Sequence, residues 1–226
     1  MYKRQDPLGA VYSRYSDAAR RPTHEPVLLE RHCLPPETAR EVFALYREYH
    51  GPLSIFSDGR SYLDGTGMAL FQNRHIQRHS TEARQPDDGR THVVRDLDEW
   101  MSRHAHEVEK QCLFFAEQDQ VPQALARFRA MPGVEVVQGS PDNIEVTAKG
   151  VDKGSALLAL ADRLGIPRAQ TLAVGDSEND RAMLEKAGVA AVMANGMERV
   201  KQLADIVSEN DCDHDGVAEI FARLSV

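Results

Sequence analysis

The sequence of 226 residues is long enough for one large domain or two small ones, and its 42% hydrophobic content is ordinary for a globular protein. The net charge of −8 argues against nucleic acid or a membrane surface as the main partner, because both favour basic patches. Cys33, Cys112 and Cys212 form no C-x-x-C pair, which predicts reduced thiols in a cytoplasmic protein, and no apolar run is long enough for a signal peptide or a membrane span.

The first part of the chain is predicted to contain polar connections around one long helix. Residues 13–26 are polar and include two prolines, so they are expected to form a flexible connection. A helix is predicted to begin at Pro36 and to continue to about Tyr49, with one buried apolar face. The His- and Arg-rich residues 72–92 are expected to be a loop, which is either a solvated surface or a lid over an anionic substrate.

Hydrophobic periodicity predicts several further elements before Lys149. Short strands are expected at residues 53–56, 62–63, 111–116, 134–137 and 143–146, and helices at residues 96–106 and 121–130. This order of elements favours an α/β domain in which helices cover one sheet. The domain is expected to end near Lys149 and Gly150.

A second helix start follows this boundary. Asp152 and Lys153 open a helix whose predicted apolar face consists of Ala156, Leu157, Leu160 and Leu164. A cation in the first turn of a helix faces the positive end of the helix dipole. Lys153 is therefore expected either to extend into solvent or to be held by a nearby anion.

The next stretch predicts a strand, a tight turn and a helix. Residues 171–174 form an apolar run that Gly175 ends, which places Asp176 at the carboxyl end of the strand, where ligands bind in open α/β sheets. The side-chain oxygens of residues 176–180 are of the type that Mg²⁺ prefers, and the amide of Asn179 can donate to a phosphate oxygen. The alternative is a helix start in which Asp176 is only the N-cap.

Four sequence blocks between Glu145 and Phe221 stand out in order: VDKGSALLALADRLGI, AVGDSENDRAMLEKAG, VAAVMANGMERVKQLADIV and DHDGVAEIF. Together they resemble the carboxyl-terminal half of the haloacid dehalogenase superfamily, in its branch of Cof-type sugar-phosphate phosphatases. The resemblance implies a Cof-type α/β cap at residues 27–149. It implies that residues 150–226 are the carboxyl-terminal part of a Rossmann-like core with a parallel sheet, and that this core is incomplete.

The resemblance also implies a role for four residues. Lys153 resembles the lysine that steadies the phosphoryl group, and Asn179 resembles the contact to the phosphate or the substrate. Asp176 resembles the Mg²⁺ ligand of the acidic motif, and Asp180 resembles the second acid, which supports the metal site. The implied activity is Mg²⁺-dependent hydrolysis of small phosphorylated metabolites such as sugar phosphates.

The family's reaction begins at a strand ending in D-x-D-G-T/L, whose first aspartate attacks phosphorus, and neither partial match in this chain fits it. A tyrosine, Tyr62, stands where the nucleophile belongs before Asp64, and the pair Asp96 and Asp98 lacks the following glycine, so that Asp96 is expected to cap a helix. Residues 8–12 resemble the N-G-A-x-Y segment that leads from the core into the cap. Residues 1–26 are therefore expected to be a remnant of that junction in a truncated chain.

Two consequences follow from the missing strand. The strand at residues 171–174 would have an open apolar edge, which favours self-association or marginal stability of residues 150–226. Two functions also stay open. The chain is either a phosphatase whose attacking carboxylate lies elsewhere, inactive in this truncated form, or a non-catalytic remnant that binds a phosphorylated ligand or a protein partner through its cap.

Overall fold

The computed structural model describes residues 28–67, 69 and 91–224. The described chain divides into two units: the first runs to Val136 and includes Pro141–Lys149, and the second contains Val137–Ser140 and the residues from Gly150 onwards. The interpretation of these units as a cap and a part of a core stays a prediction. The expected linker at residues 1–26 lies outside the described residues. No helix in the described ranges is both long and apolar enough to cross a membrane.

The first unit is a six-stranded sheet with helices, as expected for an α/β domain. Its helices are α1 (Pro36–Arg47), α2 (Leu97–His104) and α3 (Val121–Arg129). Its strands are β1 (Leu53–Ser57), β2 (Arg60–Asp64), β3 (Thr91–Val94), β4 (Lys110–Phe114), β5 (Val134–Val137) and β6 (Asn143–Ala148). The spatial order is β3-β2-β1-β4-β6-β5, in which β1 is antiparallel to β2 and β4, and β2 is parallel to β3.

The core of the first unit lies where one face of this sheet meets the helices. In α1 the buried side chains recur every three or four residues, which is the spacing of a single helix face. On the strands, alternate residues point into the same core. The largest fully buried apolar side chains are Leu34, Tyr46, Ile55, Leu113, Phe115, Phe128 and Ile144.

The predicted loop at residues 72–92 is wrong at its end. Thr91 and His92 are the first residues of β3 and pair with Ser61 and Tyr62 of β2. The His92 ring also stacks on the Tyr62 ring, with 5.3 Å between the centroids. Pairing with a neighbouring strand therefore decides the conformation of these two polar residues, which local composition does not predict. The rest of the predicted loop, residues 72–90, lies outside the described residues.

The second unit is a three-layer arrangement around a parallel sheet. Strands β7 (Leu172–Gly175), β8 (Val189–Val192) and β9 (Ile206–Val207) lie in the order β7-β8-β9. The helices are α4 (Lys153–Arg163), α5 (Arg181–Lys186), α6 (Glu198–Lys201) and α7 (Gly216–Arg223). Leu184 of α5 and Val200 of α6 pack on one face of the sheet, and Ile220 of α7 packs on the other. Among the described strands, β7 forms one edge of the sheet.

The predicted apolar face of α4 is partly wrong. Leu164 follows the last residue of the helix and is 46% exposed, and the fully buried positions are Gly154 and Ala161. Gly154 is buried because α4 contacts the backbone of α5 through this glycine in its first turn. A Cβ on Gly154 would lie within 2.6 Å of the carbonyl carbon of Ala182. Gly154 therefore allows a backbone contact that a larger residue would prevent.

Candidate functional site

The candidate site is the turn that follows β7. The strand ends at Gly175, Asp176 is exposed, and Ser177 precedes a single 3₁₀ turn, Glu178–Asp180, which leads into α5. The predicted order of strand, turn and helix is confirmed. The alternative in which Asp176 is the helix N-cap is wrong, because Ser177 occupies that position. The Asp176 carboxylate therefore lies outside the network of hydrogen bonds that closes the turn.

Asp180 is the residue that closes this turn. Its Oδ2 accepts hydrogen bonds from the backbone N–H groups of Asp176, at 3.0 Å, and Ser177, at 3.4 Å. Its Oδ1 accepts a hydrogen bond from Lys153 Nζ at 2.5 Å. The residue is only 5% exposed, so these contacts are largely shielded from water. A single carboxylate thus joins the start of α4 to the acidic turn.

Lys153 is held by an anion, which is one of the two outcomes left open by the sequence. Lys153 is the first residue of α4 and lies 27 positions before Asp180 in the sequence. The two side chains meet because α4 packs on α5 through Gly154. A third of the side chain remains exposed. The Lys153 side chain is therefore partly accessible while it contacts Asp180.

Asn179 has a fixed side-chain amide. Ser177 Oγ donates a hydrogen bond to Asn179 Oδ1 at 2.8 Å. The amide nitrogen of Asn179 has no hydrogen-bond acceptor among the described residues. Because the amide oxygen is occupied, the N–H₂ group is the part of this side chain that can donate to a phosphate oxygen.

Asp152 anchors the other end of the network. It caps α4 by accepting a hydrogen bond from the Ser155 N–H at 2.6 Å, and Lys186 Nζ lies 2.9 and 3.0 Å from its two oxygens. Burial acts to raise the pKa of the Asp152 carboxyl, but the hydrogen bonds from Lys186 and from the Ser155 backbone outweigh it, so this pKa lies below its usual value. The carboxylate therefore fixes α4 to the end of α5, and with it the position of Lys153.

Replacing Asp152 by alanine is expected to lower the free energy of unfolding by about 1–2 kcal/mol at pH 7, because both the cap and the ion pair are lost. The pKa is lowered in the folded state, so the contribution of the charge is complete above the unfolded pKa of about 3.9 and disappears as the pH falls through the folded value. Urea unfolding at pH 7 and at acid pH measures both effects.

Asp152→Asn keeps a good N-cap and separates the charge from the cap. The loss of unfolding free energy in Asp152→Asn is expected to be smaller than in the alanine variant and to decrease as the pH falls. Asp162→Asn, at an exposed position of the same helix, is the matched control and should change stability by less than about 0.5 kcal/mol. A cost of Asp152→Asn that grows at acid pH would contradict the ion-pair assignment.

The donor set fits Mg²⁺ only as a partial site. The described residues contain no group of three or more His, Cys, Asp or Glu side chains that could hold a metal ion. Asp176 supplies one exposed carboxylate, whereas both oxygens of Asp180 are already engaged. Mg²⁺ is commonly bound by one or two carboxylates together with water and substrate phosphate. The predicted direct or supporting role of Asp180 toward the metal stays a prediction.

Sequence reasoning missed Gly154 and the partnership of Asp152 with Lys186. Gly154 did carry a signal, because a glycine in a helix costs stability and usually has a packing reason. The Asp152 and Lys186 pair carried none, since the two residues are 34 positions apart.

Comparison with known proteins identifies a matching family model and several relatives. The model of the haloacid dehalogenase-like hydrolases matches residues 23–221. The 5-amino-6-(5-phospho-D-ribitylamino)uracil phosphatase YcsE of Bacillus subtilis is 37% identical over 97 residues, which are 43% of this chain and 39% of that protein. Phosphatase YwpJ of the same organism is 39% identical over 98 residues, which are 43% of this chain and 34% of that protein. These alignments thus cover two fifths or less of the curated relatives.

Several solved structures share the fold, among them the following two. A haloacid dehalogenase-like hydrolase from B. subtilis superposes with a TM-score of 0.76 at 22% identity, covering 96% of this chain and 77% of that one. A sugar phosphatase of haloacid dehalogenase subclass IIB superposes with a TM-score of 0.66 at 19% identity, covering 88% of this chain and 70% of that one.

Proposed function

The chain belongs to the haloacid dehalogenase-like hydrolases, and from that premise we propose that its second unit binds Mg²⁺ and the phosphoryl group of a small phosphorylated metabolite. The observation that carries the proposal is the Asp180 carboxylate, which joins Lys153 to the backbone of Asp176 at the carboxyl end of β7. This brings a cation, an exposed carboxylate and an amide donor to the same edge of a parallel sheet, where ligands of open α/β proteins bind.

Each residue has a distinct part in the proposed binding site. Lys153 and the Asn179 amide bind phosphoryl oxygens and offset their negative charge. Asp176 holds Mg²⁺, and Asp180 keeps Lys153 and the turn in place. Mg²⁺, when bound, would further neutralise the phosphoryl oxygens. Sugar phosphates are the proposed substrate class because the subclass IIB enzyme is named a sugar phosphatase, and YcsE is named for another small phosphorylated metabolite.

The attacking carboxylate is proposed to lie outside both partial matches to the nucleophile motif. Asp64 Oδ1 accepts a hydrogen bond from the Gly67 N–H at 2.6 Å, and Asp96 Oδ1 accepts hydrogen bonds from the N–H groups of Asp98 and Glu99. Both side chains thus cap helical turns, and for Asp96 this was the prediction. We therefore propose that this chain binds the phosphoryl group without rapid turnover. A non-catalytic binding role, with contacts made through the first unit, is the second candidate.

Two further proposals concern the surroundings of the protein. Cys33, Cys112 and Cys212 are odd in number and widely spaced, without a C-x-x-C pair, which supports the proposal of a reducing cytoplasmic location. The edge position of β7 among the described strands supports self-association through this sheet. Light scattering tests the second proposal, because a monodisperse monomer would contradict it.

Asp176→Asn is expected to weaken Mg²⁺-dependent binding of inorganic phosphate by about a hundredfold, because the metal loses its proposed carboxylate ligand. Titration calorimetry of the 226-residue chain measures this. Asp213→Asn, an exposed acid of another loop, is the matched control and should bind as the wild type does.

Phosphate binding and hydrolysis of p-nitrophenyl phosphate, both measured with Mg²⁺, separate the two candidate functions. Mg²⁺-dependent phosphate binding that Asp176→Ala abolishes, with little or no turnover, supports the first candidate, whereas ligand binding that is independent of Asp176 supports contacts through the first unit. Rapid turnover would contradict the proposal that the chain binds the phosphoryl group without hydrolysing the ester. If the wild-type chain neither binds phosphate with Mg²⁺ nor hydrolyses the ester, the proposed function is wrong.

A further inference from the structure

The acidic turn is also held from the side of the loop that follows β8. The Met197 N–H donates a hydrogen bond to the carbonyl oxygen of Asp176 at 2.8 Å. Gly196 lies so close that a Cβ there would come within 3.3 Å of the same oxygen. The backbone at Asp176 is therefore in direct contact with the start of α6.

Glu178 makes a second link between the same two segments. Its Oε1 lies 2.6 Å from Arg181 Nε, and its Oε2 lies 2.7 Å from Arg199 Nε in α6. Arg181 also donates a hydrogen bond to the carbonyl oxygen of Arg199 at 3.5 Å. The carboxylate thus joins the 3₁₀ turn, α5 and α6.

The Glu178 carboxylate is more buried than its partners. Its side chain is 17% exposed, against 37% for Arg181 and 54% for Arg199. Oε2 is shielded from solvent and receives no well-directed hydrogen bond, so the Arg199 guanidinium stabilises it as an ion pair. A surface ion pair contributes little, but a shielded carboxylate oxygen depends on its counter-charge.

We propose that Glu178 is a positioning residue of the phosphate site. Its ion pair with Arg199 fixes the 3₁₀ turn against α6 and thereby sets the positions of Asp176 and Asn179, which lie two residues before and one residue after it. Glu178 itself contacts neither phosphate nor metal, because both of its oxygens face arginines. The inference rests on the proposed function of this turn.

The test is a double-mutant cycle with Glu178→Gln, Arg199→Gln and the variant carrying both. The ¹⁵N-labelled full chain is titrated with inorganic phosphate in the presence of Mg²⁺. At a temperature well below the melting point of every variant, each single variant is expected to raise the dissociation constant about tenfold, and the double variant no further, since the two residues act as a pair. Lys201→Gln is the matched control, because Lys201 lies on the same short helix and pairs only with Glu198 among the described residues.

A second readout needs no ligand. Hydrogen exchange of the Met197 amide, which is bonded to Asp176, is expected to quicken about fivefold in both single variants and to stay unchanged in Lys201→Gln. Unchanged exchange in Glu178→Gln overturns the inference whether or not phosphate binds. Quicker exchange with unchanged phosphate affinity also overturns it. If the wild-type chain binds no phosphate, the proposed function is wrong, and the positioning role that rests on it is wrong as well.

Discussion

Replacing Asp180 by asparagine is expected to lower the free energy of unfolding by about 2–4 kcal/mol and to abolish binding of phosphate with Mg²⁺. The aspartate has both oxygens engaged, one by Lys153 and the other by two backbone N–H groups. An asparagine offers one oxygen, so it can satisfy only one side. Lys153 then faces an amide N–H₂ group or the backbone donors lose their acceptor. Urea unfolding and phosphate calorimetry on the same sample measure the two effects.

Asp176→Asn is the control that separates folding from binding. Asp176 is exposed, and its carboxylate takes no part in closing the turn. Its replacement is expected to change stability by less than about 0.5 kcal/mol while weakening the Mg²⁺-dependent binding of phosphate. If Asp180→Asn were as stable as the wild type, Asp180 would not be the residue that closes the turn.

Replacing Gly154 by alanine is expected to lower the free energy of unfolding by about 3 kcal/mol, at the upper end of the cost of overpacking. The new Cβ would lie within 2.6 Å of the Ala182 carbonyl carbon, and backbone atoms cannot turn away as a flexible side chain can. The gain of about 1 kcal/mol in helix propensity does not offset this clash. Thermal and urea unfolding measure the loss of stability. The shift of α4 is measured by the change of the Lys153 NMR signal on addition of phosphate, which should be smaller than in the wild type.

Gly65→Ala is the matched control for this substitution. Gly65 lies in a helical turn and a Cβ there would meet no atom within 4 Å. The control variant is expected to be as stable as the wild type or more stable by up to about 1 kcal/mol. Equal stability of Gly154→Ala and the wild type would mean that α4 and α5 can separate at little cost.

The elements of the second unit were predictable because their signals are local. Leu172, Ala173 and Val174 are apolar without interruption, as expected for a strand covered on both faces, and the strand ends at Gly175, whereas the polar Thr171 of the predicted run lies just before it. The end of α4 was less predictable. Leu164 fits the helix period, but it lies after the last helical residue and is about half exposed. Periodicity gives the direction of a side chain and does not say whether a neighbour covers it.

The family resemblance identified the residues of the candidate site, and the structure showed the hydrogen bonds and ion pairs between them. Lys153 could not be assigned to solvent or to an anion, because its partner Asp180 is 27 positions away. The same holds for the ion pair of Glu178 and Arg199. Ion pairs between residues of separate elements leave no periodic pattern in a sequence. They are therefore recognised only when the packing of α4, α5 and α6 is known.

The double engagement of Asp180 also bears on how such a motif persists through evolution. A side chain that holds both a helix and a loop in place is under selection for folding, independently of any turnover. A descendant that had lost its nucleophile would therefore keep Asp180, Lys153 and the glycine between their helices for as long as it needed to fold. Exposed Asp176, free of that constraint, would be the first of these residues to drift.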